Sequence, residues 1–241
     1  MKTYVSLLTL LLAIFVNEVA DAQFGLRLKY NNNTHANWEK AINDRYASNS
    51  TLLKSGIEAG LDYWFRLKNR RIEFLPELAY SFASNESPNA SINKISYQAF
   101  HINFNTHIYA LDLEGDCDCP TFSKQGPSIQ KGLFFHFTPG LGYYQASISE
   151  NETATPTLIS NKASGLMVRL GIGLGLDLGI NDFLTITPMV SYYMHTNATW
   201  ADLAINDGTT RDVSSNLRTL QLTLRLGFRP DYTTKNRRRR R

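Results

Sequence analysis

Residues Ser164 to Ile180, SGLMVRLGIGLGLDLGI, decide the fold. Leu166, Val168, Leu170, Ile172, Leu174, Leu176, Leu178 and Ile180 occupy the even positions, and all are large aliphatics. Gly165, Met167, Arg169, Gly171, Gly173, Gly175, Asp177 and Gly179 occupy the odd ones, all tiny or polar except Met167. Successive side chains of a strand point to opposite faces, so this period of two makes a strand with one oily face and one small, partly charged face. Strands of soluble sandwiches are usually shorter. A strand that crosses a bilayer needs about 9–11 residues. The stretch therefore reads as one stave of a membrane barrel, aliphatics toward lipid and glycines toward the lumen. Two rival readings fail. Gly171 and Gly173 begin a dinucleotide fingerprint, but the third glycine it requires is Leu176. Gly171, Gly175 and Gly179 fit a helix-packing seam, but the stretch is short for a spanning helix, which would also carry Arg169 into lipid.

The same alternation recurs on both sides. Phe24, Leu26, Leu28 and Tyr30 alternate with Gly25, Arg27, Lys29 and Asn31 in a first strand. Ile57 to Leu67 is a second, with Glu58, Asp62 and Arg66 inward. Ile72 to Phe82 is a third, with Glu73 and Glu77 inward and Pro76 predicting a bulge or a local gap in pairing. In the fourth, Phe100, Ile102, Phe104 and Ile108 face out and His101, Asn103, Asn105 and His107 face in. Leu133 to Tyr144 is the fifth, with His136 inward, and the glycine-rich stretch is the sixth. Leu184 to Met194, interrupted by Pro188, is the seventh, and Leu220 to Phe228 is the eighth, with Arg225 inward. Polar loops are expected over 32–55, 83–94, 145–163 and 195–215. Trp38, Ala41, Ile42 and Arg45 lie at helical spacing, so the first of these loops reads equally well as a short helical cap or as irregular chain.

The expected architecture is all-β: an eight-stranded antiparallel transmembrane up-and-down β-barrel. Connections after strands one, three, five and seven are long, and those after two and six are tight, the pattern of outer loops and periplasmic turns. Both termini are then periplasmic. The connection from Leu111 to Lys131 breaks the pattern, being long on the periplasmic side.

The chain has 241 residues and a net charge of +4. Lys235 and Arg237 to Arg241 carry six positive charges, so the remainder is 4 − 6 = −2, which excludes a basic body for nucleic acid. Lys2, the apolar run Val5 to Val16 and the Ala20-Asp21-Ala22 cleavage pattern read as a signal peptide over 1–22. The barrel is assigned to 23–229 and a basic tail to 230–241. Export together with alternating strands places the chain in the outer membrane.

With eight such strands after a signal peptide, the sequence resembles the small outer-membrane β-barrel family of Gram-negative bacteria, OmpA/OmpX-like and PorT-like, over Phe24 to Phe228. Asp116-Cys117-Asp118-Cys119-Pro120-Thr121-Phe122, then Lys131 to Phe135 and Pro139-Gly140, look like a sub-group signature within it. The resemblance implies an accessory role in outer-membrane secretion or assembly as one alternative. The tail after Phe228 departs from the family's aromatic last residue.

The inward charges Glu58, Asp62, Arg66, Glu73, Glu77, Arg169, Asp177 and Arg225 are expected to form a salt-bridged lumen network, since an eight-stranded barrel is just wide enough for side chains to fill. His101 and His107 are about 20 Å apart along one strand and cannot share an ion, so no metal site is assigned. His136 is left to pair with one of them. Ser191 and His195 face the lumen with no motif joining them, which ranks a lipid A-modifying enzyme last; no catalytic residue and no cofactor is assigned. Cys117 and Cys119, the only cysteines, are read as a small strained disulfide across the long periplasmic connection. Expected partners are outer-membrane lipid and a protein or glycan at the outer loops, which carry Trp38, Tyr46 and Trp200. The function expected is structural or binding, with a narrow solute pore as the alternative.

Overall fold

A computed structural model describes residues 23–46, 53–67, 70–86, 92–113, 128–150, 162–181, 183–204 and 210–228. The signal segment, the Cys117–Cys119 pair and the basic tail lie outside these residues, as does the side chain of Arg66.

Eight strands follow one another: β1 (Gln23–Thr34), β2 (Ser55–Arg66), β3 (Ile72–Glu86), β4 (Ile92–Ile108), β5 (Leu133–Glu150), β6 (Lys162–Leu176), β7 (Leu184–Ala204) and β8 (Thr210–Phe228). Each pairs antiparallel with the next, and β8 returns to β1 with Leu224 opposite Leu28. The sheet is therefore closed and leaves no free edge around its waist. β6 pairs with β7 from Val168↔Thr196 to Gly175↔Met189, and its two-residue continuation Leu178–Gly179 meets Ile186 and Thr185.

The alternation holds with its predicted sense. Leu61 and Leu78 are each 66% exposed and Leu166 is 74% exposed, while Glu58, Asp62 and Arg169 between them are buried. A water-soluble barrel would invert this order, because apolar area is the costly area to leave in water. The glycines of β6 have a steric cause. A Cβ on Gly171 would overlap the Tyr193 ring, and one on Gly175 the Phe134 ring. The two aromatic rings occupy the space that side chains on β6 would otherwise fill.

The prolines open gaps in pairing without shifting register. Opposite Pro76 the β2–β3 ladder skips Tyr63 and Trp64, then resumes at Phe65↔Phe74. Opposite Pro188 the β6–β7 ladder skips Leu176 and Asp177. Pro139 does the same on its β4 side, between Asn103↔Gly140 and Thr106↔Phe137. In each case the other neighbour stays paired, because the ring removes a donor on one side only.

The loops differ from expectation. β7 runs for 21 residues and β8 for 19, about twice what a bilayer needs. Much of the expected loop 195–215 is thus a hairpin standing beyond the membrane, and β4 and β5 extend likewise. The cause is a buried inner face that continues past the lipid: Ala146, Ile148, Ala198, Trp200, Leu203 and Leu217 are covered. What covers them is the connection after β1. It folds into α1 (Ala36–Tyr46), which inserts Trp38 and Ile42 into the mouth of the barrel. The Trp38 ring stands edge-on to Trp200 with centroids 5.5 Å apart, and its Nε1 donates to the Val213 carbonyl at 2.9 Å. Asn37 Nδ2 donates to the Ser214 carbonyl at 2.7 Å. The helical alternative is the correct one, and the helix is a lid.

The opposite end carries a floor. A 3₁₀ turn at Ala110–Asp112 and a short helix, α2 (Ser128–Gly132), sit under the strands. The Asp177 amide donates to the Gly132 carbonyl at 2.9 Å and the Arg71 amide to the Leu113 carbonyl at 2.9 Å. Arg71 pairs with Asp112 and lies 4.3 Å from the centre of the Tyr109 ring. Among the described residues, no helix is long and apolar enough to cross a membrane.

Candidate functional site in the barrel lumen

Strand register brings the inward charges into pairs that sequence distance hides. Glu58 meets Lys29 Nζ at 2.6 Å and Arg169 Nη1 at 3.1 Å. Asp62 accepts from Arg27 Nε at 2.7 Å and from Arg225 Nε and Nη2, both at 2.7 Å. Glu77 takes Lys29 Nζ at 2.5 Å, with Arg27 Nη1 at 3.9 Å, and accepts from Asn105 Nδ2 at 2.8 Å. Three carboxylates thus sit among Arg27, Lys29, Arg169 and Arg225, all buried. Charges removed from water are tolerable only when paired and hydrogen-bonded in this way. Arg169 gains a second partner, since its guanidinium lies 3.9 Å from the centre of the Tyr193 ring.

The two remaining acids lie toward the floor. Glu73 accepts from Trp64 Nε1 at 2.6 Å and from the Tyr109 hydroxyl at 3.0 Å. That hydroxyl also reaches Asp177, which accepts in turn from Thr187 Oγ1. Asp177 and Thr187 stand where the Pro188 gap interrupts the backbone ladder, and their side chains bridge it.

Of the residues expected to form the lumen network, Glu58, Asp62, Glu73, Glu77, Arg169, Asp177 and Arg225 are buried on the inner face, and the side chain of Arg66 is not described. Sequence reasoning missed Arg27, Lys29, Trp64 and Tyr109 as members. A signal for each was available, because Arg27, Lys29 and Trp64 fall on the inward phase of their strands and Tyr109 continues the inward phase one residue past the end of β4. Arg71 follows the same phase from Glu73 and is buried.

The histidines divide into two groups. His136 Nε2 lies 3.3 Å from the Tyr193 hydroxyl, and its ring meets His107 edge-on at 5.3 Å between centroids. His107 stacks on Phe134 at 4.0 Å. Higher up, His101 Nε2 lies 3.1 Å from Ser81 Oγ and the ring faces His195 at 6.1 Å. Among the described residues no group of three or more His, Cys, Asp and Glu is arranged to hold a metal ion. Ser191 and His195 are both buried on the inner face.

Under the lid lies a pocket lined by Asn31, His35, Glu58, His101, Arg169 and His195, among others. Its volume is about 20 Å³, room for a single water. No organic substrate fits there. His35 joins β1 to α1 outside the strands, stacked on Trp38 and edge-on to Tyr97. Burial pushes its imidazole down to about 4.

A closed eight-stranded antiparallel sheet with an oily outside and an ion-paired inside is the fold of the small outer-membrane β-barrels. No protein-family model matches the sequence, and no curated protein matches it. Solved structures do. Neisserial surface protein A is similar at 10% identity and TM-score 0.43, over 85% of this chain and 96% of that one. Ail, the attachment invasion locus protein of Yersinia pestis, solved in complex with the heparin analogue sucrose octasulfate, is similar at 12% identity and TM-score 0.44, over 87% and 97%. A major outer membrane protein from Thermus thermophilus is similar at 9% identity and TM-score 0.46, over 86% and 99%.

Proposed function

We propose that this protein is a non-conducting, non-enzymatic barrel of the outer membrane that acts through its outer end, as a structural or binding element. Both termini and the floor of α2 then face the periplasm, and the lid α1 with the long hairpins faces the exterior. The observation that carries the reading is the bed of Glu58, Asp62 and Glu77 on Arg27, Lys29, Arg169 and Arg225, roofed by Trp38 and Ile42. Each of these carboxylates is engaged by cations, so none is offered to a substrate as acid or base. The pocket above them holds about one water, too little for a solute path.

The test of sidedness is labelling of intact cells with a membrane-impermeant maleimide, in a C117S/C119S background. Lys40→Cys on the lid should label, and Ile129→Cys on the floor should label only after lysis. The reverse pattern overturns the orientation.

A further inference from the structure

The outer face of β4, β5 and β6 changes character across one ladder step. Phe100, Tyr143 and Leu166 are register partners and form an apolar row, all exposed. The next outward row is Gln98, Gln145 and Ser164, and the next is Ser96, Ser147 and Lys162. Ser96 and Ser147 share a hydrogen bond of 2.8 Å across the two strands. The Tyr143 hydroxyl leaves the apolar row to hydrogen-bond the Gln145 and Ser164 side chains. These polar rows line a groove of about 290 Å³. That is near the lower end of small-ligand sites.

We propose that this ledge binds the phosphorylated saccharide head of an outer-leaflet glycolipid, whose acyl chains lie on the apolar row and below it. The inference rests on the proposed outer-membrane placement with the lid end outside, and is independent of whether the lumen conducts. Two features choose the head group. Neighbouring strands set the side chains about 5 Å apart on a flat face, so the amides and hydroxyls present a grid of donors and acceptors. Such a grid matches a ring bearing several hydroxyls; a bare phosphate would need only a cation. Lys162 at the upper corner then supplies the charge for a phosphate on that ring. The border lies in register with Tyr143, whose ring sits with the lipid-facing row and whose hydroxyl sits with the polar one, as interfacial tyrosines do.

The experiment is competitive retention by the folded full chain, read by native mass spectrometry from detergent. The probes are bisphosphorylated lipid A, phosphatidylglycerol and soluble glucosamine phosphate. The wild type should retain lipid A at least tenfold over phosphatidylglycerol and should not retain the soluble head group. Lys162→Glu should reduce that preference severalfold. Gln145→Leu, which moves the apolar border outward, should reduce it too. Folding of each variant is read from the shift between unboiled and boiled bands on a gel. Equal retention of both lipids, or an unchanged preference in folded variants, overturns the ledge and leaves the barrel untouched. A wild type without the band shift overturns the barrel placement itself.

Discussion

The Tyr144 hydroxyl both donates to the Thr199 carbonyl, at 2.7 Å, and accepts from the Thr199 amide, at 2.8 Å. A side chain here does what a neighbouring strand does elsewhere. Above Val168↔Thr196 the described parts of β6 and β7 no longer pair, and the phenol from β5 crosses the space between them. It passes over Gly165, where a Cβ would sit 3.0 Å from the hydroxyl oxygen.

Tyr144→Phe should therefore leave one partly buried donor and one acceptor unsatisfied. The expected cost is about 1–3 kcal/mol. It is read as a lowered midpoint of urea unfolding in lipid, with faster hydrogen exchange at the Thr199 amide. Tyr97→Phe is the internal control, since its hydroxyl reaches Met167 Sδ at 3.6 Å and should cost less. Equal effects of the two substitutions would show that the crossing adds no stability of its own.

Arg169→Leu removes the guanidinium held between Glu58 and Tyr193. Three cations then face three carboxylates, but the cation left at Glu58 is Lys29, which it shares with Glu77. Breaking a buried pair from one side typically costs about 3–5 kcal/mol. The double substitution R169L/E58L should cost less than R169L alone, because it also removes the carboxylate that is left under-paired. A double variant worse than the single, by unfolding midpoint, would mean that shape rather than charge holds this layer.

Gly175→Val tests the glycine row. Its added carbons must displace the Phe134 ring, on which His107 and Tyr109 both pack. Overpacking of this kind costs about 1–3 kcal/mol or more. The band shift of the folded barrel should fall in yield or vanish; a variant that folds as well as the wild type would contradict this close packing of ring on glycine.

The lid should loosen in acid. His35 is buried, with its imidazole held neutral down to about 4, whereas an unfolded histidine titrates near 6.5. The unfolded state therefore binds the proton first. The stability due to this residue is complete above pH 6.5 and is lost as pH falls toward 4, by about 3 kcal/mol in full. His35→Phe keeps a ring between Trp38 and Tyr97 and has no proton to bind. The difference in α1 hydrogen-exchange protection between wild type and H35F should grow between pH 6.5 and 4. A difference that stays flat across that range would remove His35 from the lid's response.

The sequence was informative about faces and silent about register. Period two told which way Glu58, Asp62 and Arg169 point, because side-chain direction is a local property of a strand. It could not pair Arg169 with Glu58, 111 residues away, because that contact depends on the stagger of the intervening ladders. The ends of the strands were misread for a related reason. Ser, Asn and Thr on an exposed hairpin face resemble loop, and only the buried partners Trp200, Leu203 and Leu217, covered by a helix from another part of the chain, reveal that the ladder continues. The Cys117–Cys119 disulfide remains a proposal from spacing and compartment.

A lumen closed by its own charges is the central claim, and ion conductance of the full chain in planar bilayers tests it most directly. The closed bed and lid predict no steady steps, at most rare brief openings. Stable ohmic channels in the wild type, persisting at neutral pH, would contradict it.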